Sequence, residues 1–203
     1  MTNIPNNKEE MPLEHYTELF AAADPHEIAE RTGLEYADGV FSFDFLNHRL
    51  TVTHPEFKLA AEPASRVLTS VAAEILVLRQ LVQGTRGAWL GTFKSYRELP
   101  WGDVYDANFN GRCRIRLART YGTRLDAFRE GAIRLGGLAV KHGDAAFDFA
   151  FHSGITVRVI MHEGDDEFPA ASQFLFSDNI SAVWGAEDLA VLCEVIISAL
   201  KEA

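Results

Sequence analysis

A chain of 203 residues, 47 % hydrophobic and 24 % charged, has the make-up of one soluble globular domain that can bury a core without staples. Its formal net charge of −10 excludes a general nucleic-acid binder, which needs basic surface to displace counterions. The only cysteines, Cys113 and Cys193, stand alone with no CxxC, which argues against a zinc ribbon or an in-chain iron–sulfur site and for two packed, reduced thiols.

The opening "MTNIPNNKEEMP" lacks the basic and apolar regions of a signal peptide, and no apolar run approaches ~18 residues. A cytoplasmic protein without membrane contact is expected. Residues 1–11 are expected to form a disordered polar tail, and residues 12–203 a single α+β domain.

A short helix is predicted near Leu13–Ala23. A second starts at "DPHE", where Asp24 caps, Pro25 suits the first helical position and Gly33 ends the run. "FSFDFLNHRLTVTH" reads as a hairpin turning at Asn47-His48, with Phe41, Phe43 and Phe45 on one face and His54 as an edge residue at its end. The apolar spacing over Pro63–Gln83 predicts the longest helix and the best candidate for a central buried one, stopped by Gly84. Helices near Asp103–Tyr121 and Thr123–Leu135 follow, the second with a capping-box pattern at Thr123 and Asp126.

"DAAFDFAFHSGITVRVIM" is a second hairpin. Only an odd-numbered loop sets Phe147, Phe149 and Phe151 against Ile155, Val157, Val159 and Met161, so His152-Ser153-Gly154 is predicted as a three-residue turn with Gly154 left-handed. Asp148 then faces Arg158 as an exposed cross-strand pair. Phe174–Phe176 adds a strand, and Glu187–Leu200 an amphipathic helix with acids at its start. The order of elements predicts α+β architecture: an antiparallel sheet built from two hairpins, with helices mainly on one face.

No GxSxG, P-loop, HExxH or GxGxxG occurs, which leaves three constellations for chemistry. "KSYRELPWGDVYDANF" gathers Tyr96, Arg97, Trp101, Tyr105 and Phe109, with Glu98 among them, around a Pro-Trp-Gly break, a composition suited to stacking and charge recognition of a flat or anionic ligand. The segment 94–134 holds nine Lys/Arg against five Asp/Glu, and Arg112, Arg116 and Arg119 share one helix face that suits an acidic partner. Pairing with the protein's own acids is the commoner explanation of such a face. The hairpin register brings His142, Asp144, His162 and Asp165 to one strand end, an imidazole–carboxylate set that suits a metal, although strand ends in water collect the same residues.

"GTFKSYRELPWGDVYDANF", "LGG", "HGDAAFDF", "EGDDEFPAASQFLFSD" and "AEDLAVL", in this order, resemble the uncharacterised domain-of-unknown-function family 3786. The likeness runs from the first hairpin to the last helix, with Ser177 before Asp178 a one-residue departure from the motif. The resemblance implies a context and no reaction: such domains look characteristic of anaerobic bacteria and archaea. Some are fused to a cysteine-rich iron–sulfur domain like that of corrinoid proteins, which this chain lacks. It also implies that the acidic turn belongs to a larger motif, with Gly164 and Pro169 shaping a loop, Phe168 as an anchor, and Asp165, Glu167 and Asp178 facing a ligand or partner.

These observations point to a non-catalytic ligand- or cofactor-binding accessory domain of anaerobic metabolism, corrinoid or iron–sulfur related, with a groove between the Arg97–Tyr105 and Asp165–Phe168 loops. The alternatives are an adaptor that docks its arginine face on an acidic or iron–sulfur protein, and a metal-dependent enzyme at the His142/His162 end. The cofactor is not legible.

Overall fold

The computed structural model describes residues 10–202, leaving aside the side chains of Glu10, Met11 and Ser153. The expected tail falls on residues 1–9, outside the described residues, and on Glu10 and Met11, which open α1 (Glu10–Ala22). In α2 (Pro25–Thr32), Asp24 accepts a hydrogen bond from the His26 amide and Gly33 closes the helix at a φ of 72°.

Strands β1 (Glu35–Ala37), β2 (Val40–Phe45), β3 (His48–Thr53) and β4 (Leu59–Glu62) form a four-stranded antiparallel sheet in chain order. The first hairpin turns one residue earlier than predicted. Leu46 and Asn47 both take positive φ, 50° and 60°, so that Phe45 pairs with His48 and Asp44 with Arg49. Burial decides it: Leu46 is inaccessible to solvent, and Arg49 reaches both Asp44 and Glu35 in this register. His54 is the satisfied edge residue expected, its Nε2 within 3.1 Å of the Phe20 and Ala23 carbonyls at the end of α1.

Helix α3 (Val71–Gln83) is shorter than predicted, because Ser70 caps it and Ser65 and Thr69 bond backbone in the turn before it. After β5 (Phe93–Ser95), helix α4 (Gly102–Phe109), a π-helical segment (Asn110–Ile115) and α5 (Arg116–Tyr121) run on in one helical path. Helix α6 (Leu125–Arg134) starts at Arg124 without a side-chain cap, so the Thr123 capping box does not form.

The second hairpin has the predicted register. In β7 (Ala145–Ala150) and β8 (Thr156–His162), Phe147 faces Val159, Asp148 faces Arg158 and Phe149 faces Val157, around a His152–Gly154 turn with Gly154 at φ 71°. With β6 (Leu138–Ala139), β9 (Ala171–Ser177) and β5 they form a five-stranded sheet in the order β5-β9-β8-β7-β6. The Asp148–Arg158 pair is not exposed: it is bidentate, largely covered, and Arg158 lies over the Phe93 ring.

The α+β expectation therefore holds, with each hairpin at the heart of its own antiparallel sheet; the sheets meet at the Phe45–Phe151 bridge. The central helix is α7 (Ala186–Ala199), not α3. Leu189, Ala190, Leu192, Cys193, Val195, Ile196 and Ile197 are all buried, which leaves little of a polar face. Among the described residues no helix is long and apolar enough to cross a membrane.

Candidate functional site

The helical path 102–121 is pinned at both ends by the segments that stood out in the sequence. At its start Ser95 and Glu98 form a capping box, the Glu98 carboxylate accepting from the Ser95 amide and hydroxyl at 2.7 Å each. Trp101 then takes a φ of 65°, and Gly102 passes so close to Tyr96 that a Cβ there would lie 1.8 Å from its carbonyl oxygen. Tyr96 is fully buried, stacked on Phe109 at 3.9 Å, and donates its hydroxyl to the Ala186 carbonyl at 2.9 Å. Burial pushes its pKa well above the usual tyrosine value.

At the far end the acidic turn docks on Gly122. The Asp165 carboxylate accepts from the amides of Glu167 and Phe168, which holds its pKa below the usual range. The Gly164 amide reaches the Gly122 carbonyl at 3.4 Å. A Cβ on Gly122 would meet the Ala170 Cβ at 2.1 Å, so glycine is what lets the two walls close.

Between the π segment with α5 on one side and the start of β9 on the other lies a groove of about 490 Å³. Ile115, Ala118, Pro169, Ala170 and Ala171 give it an apolar lining; Asn110, Thr123, Ser172 and two arginines line the rest. Ser172 Oγ donates to the Arg114 carbonyl at 2.8 Å, tying strand to π segment. The arginines differ. Arg114 is held by Asp106 at 2.8 Å and lies over the Phe109 ring. Arg119 is exposed and has no ion pair among the described residues. The groove thus combines an apolar floor, hydroxyl and amide groups, and one uncommitted cation.

The two loops expected to share a hollow do not. Trp101 sits at one end of the helical path and the Asp165–Phe168 turn at the other. Twenty residues of helix separate them, about 30 Å at 1.5 Å per residue. Tyr96, Arg97, Glu98, Trp101, Tyr105, Asp165, Glu167, Phe168 and Asp178 are all absent from the groove's lining. Tyr96 is core and Glu98 a cap. Trp101 and Phe168 are 71 % and 67 % exposed. Asp178 accepts from the Leu90 and Thr92 amides and the Thr92 hydroxyl, so it shapes the loop before β5.

Of the arginine face, Arg112 is bound by Glu194 and Glu187 and Arg116 donates to Ser198, whereas Arg119 opens on the groove. At the second hairpin's end, Asp144 accepts from the Glu163 amide while Asp165 is turned into its own loop. Among the described residues no three His, Cys, Asp or Glu side chains gather as a metal set, so His142, Asp144, His162 and Asp165 form no such cluster. Cys113 donates to the Ala190 carbonyl at 3.5 Å beside Cys193, and both thiols are fully buried. Burial pushes the Cys193 thiol up, the opposite of what ligating iron requires.

As groove lining, sequence reasoning missed Asn110, Ile115, Ala118, Gly122, Thr123 and the run Pro169-Ala170-Ala171-Ser172. The legible signal was that run itself: small residues leading into a strand, where β-branched ones are favoured, mark a close approach of other chain. No curated protein and no solved structure matches the chain. A family model does match it, over residues 24–199, from the Asp24 cap of α2 to the end of α7, and the chain belongs to the family described as Domain of unknown function (DUF3786).

Proposed function

We propose that this chain is a non-catalytic binding domain whose ligand lies in the groove between the π segment with α5 and the start of β9. The ligand has an apolar body for the Ile115–Ala118–Ala171 floor and an anionic group for Arg119. One observation carries this reading: Arg119 stands beside an apolar groove of about 490 Å³, a size suited to a small molecule, and no carboxylate of the described residues neutralises it. The reading keeps the binding role expected from the sequence and moves it along the helix. An accessory place in anaerobic metabolism, beside a corrinoid or iron–sulfur protein, is supported by the family resemblance alone.

The test is a thermal-shift screen of aliphatic and aromatic carboxylates and organic phosphates against wild type, Ile115→Asp and Arg119→Gln. Ligands that bind the native state raise its Tm by mass action. Hits are expected in wild type and lost in both variants. A screen without hits, or hits that both variants keep, would sink the reading.

A further inference from the structure

Arg119 also borders a second hollow, of about 610 Å³, on the other side of α5. Its wall carries Arg119, Arg124, Arg134 and Lys201, with Glu130 the only carboxylate. None of these four cations has an ion pair among the described residues, in a chain whose net charge is −10. Arg124 bonds the Thr120 carbonyl and Arg134 the Leu200 carbonyl, contacts that orient each guanidinium at a helix end without neutralising it. Each such end is worth about half a negative charge. Against four cations, one carboxylate and two helix ends leave an excess of roughly two positive charges, which a phosphorylated end can neutralise and a single carboxylate cannot.

We propose that this hollow binds the phosphoryl end of the ligand whose apolar body occupies the groove, with Arg119 bridging the two, so that the ligand class is an organic diphosphate. The proposal rests on the groove reading for the body of the ligand and on the four cations for its charged end. Two phosphoryl groups present oxygens on several sides, and three guanidinium forks with one ammonium match that better than a single carboxylate would.

The experiment is isothermal titration of the full chain with inorganic pyrophosphate, geranyl diphosphate, ADP and geranate. Pyrophosphate is expected to bind, more weakly as salt rises, and to lose about tenfold in affinity with Lys201→Gln and with Arg124→Gln. Lys201 is exposed and makes no ion pair among the described residues, so its variant reads the site before it reads stability. At least one organic diphosphate is expected to bind about tenfold tighter than pyrophosphate, an advantage that Ile115→Asp abolishes. No pyrophosphate binding, or binding indifferent to Lys201→Gln and Arg124→Gln together, overturns the proposal. Geranate binding as tightly as geranyl diphosphate, and lost in Ile115→Asp, overturns it too while the groove reading stands. Pyrophosphate binding that behaves as expected, with neither organic body adding affinity, overturns the organic diphosphate and the groove reading together and leaves the hollow as a phosphate site.

Discussion

Gly122 is the point at which the groove's two walls meet, and its replacement by alanine measures how firmly they are joined. Its φ of −61° suits any residue, so the cost is purely steric. The new Cβ would lie 2.1 Å from the Ala170 Cβ and 2.6 Å from the Ala118 carbonyl, where carbon atoms rest at about 3.5–4.0 Å. Neither neighbour is the end of a flexible chain, so the turn before β9 must retreat by more than an ångström. Overpacking of this kind costs about 1–3 kcal/mol, and the clash with backbone as well as side chain places Gly122→Ala at the upper end, about 2–3 kcal/mol. Gly111→Ala is the control, since nothing lies within 4 Å of a Cβ there; it is expected to be neutral or stabilising by about 0.4–1 kcal/mol. Ala170→Gly removes one clashing atom, and the double variant should recover about half of the loss, a coupling of about 1 kcal/mol. Urea denaturation of the four variants and wild type completes the cycle. A Gly122→Ala variant as stable as Gly111→Ala, or additive with Ala170→Gly, would show that the walls do not touch and that the groove is not built as described.

The Gln80 amide lies 2.5 Å from His152, and burial lowers the histidine pKa to about 4 from 6.5. Between those values the unfolded chain takes up the proton and the folded one does not, so stability should rise by about 3 kcal/mol as pH climbs from 4 to 6.5. Denaturation curves across that range should be flatter for His152→Gln, and equal slopes would refute the assignment. Asp178→Ala should speed amide exchange at Leu90 and Thr92 and alter Trp89 fluorescence while the core amides of β7 and β8 stay protected; unchanged exchange would mean that the loop holds itself. The Asp178 pKa is lowered, first by the Thr92 hydroxyl, so in wild type the same loosening should set in only as pH falls below the ordinary carboxylate range. Cys113 and Cys193 should resist a soluble thiol reagent in the folded protein and react together in denaturant; fast native labelling of either would contradict their burial.

The second hairpin was legible down to its register because both faces were written in full: three phenylalanines against four aliphatics leave one loop length, and Gly154 supplies the left-handed residue. The first hairpin carried the same alternation but a less decisive turn. Asn47-His48 is the better pair on turn preference, and only the burial of Leu46 and the reach of Arg49 move the turn to Leu46-Asn47. Local preference was outweighed there by packing. The centrality of α7 was hidden because Ala190, Cys193 and Ile197 fall outside its strongest stripe and become buried only when a second helix covers them. For the site the obstacle was distance along a helix. Composition marks Trp101 and Phe168 as conspicuous, but nothing local states that about 30 Å of helix holds them apart.

The conspicuous segments turn out to be joints. "YRELPWG" supplies a stacked tyrosine, a capping glutamate, a left-handed tryptophan and the one residue that fits under the Tyr96 carbonyl. "GDDEFP" supplies an aspartate-closed turn and the glycine that lets it settle on Gly122. Each fixes one end of the 102–121 path, and a helix clamped at both ends presents its side chains to the facing strand at a set height. The proposed recognition then falls to plain residues between the joints: alanines that keep the groove open, Thr123 and Ser172 on its walls, and an arginine with no ion pair among the described residues. Changing a joint should therefore cost stability first and binding as a consequence. Changing Arg119 or Ile115, both exposed, should cost binding alone, and that separation is what the paired variants measure.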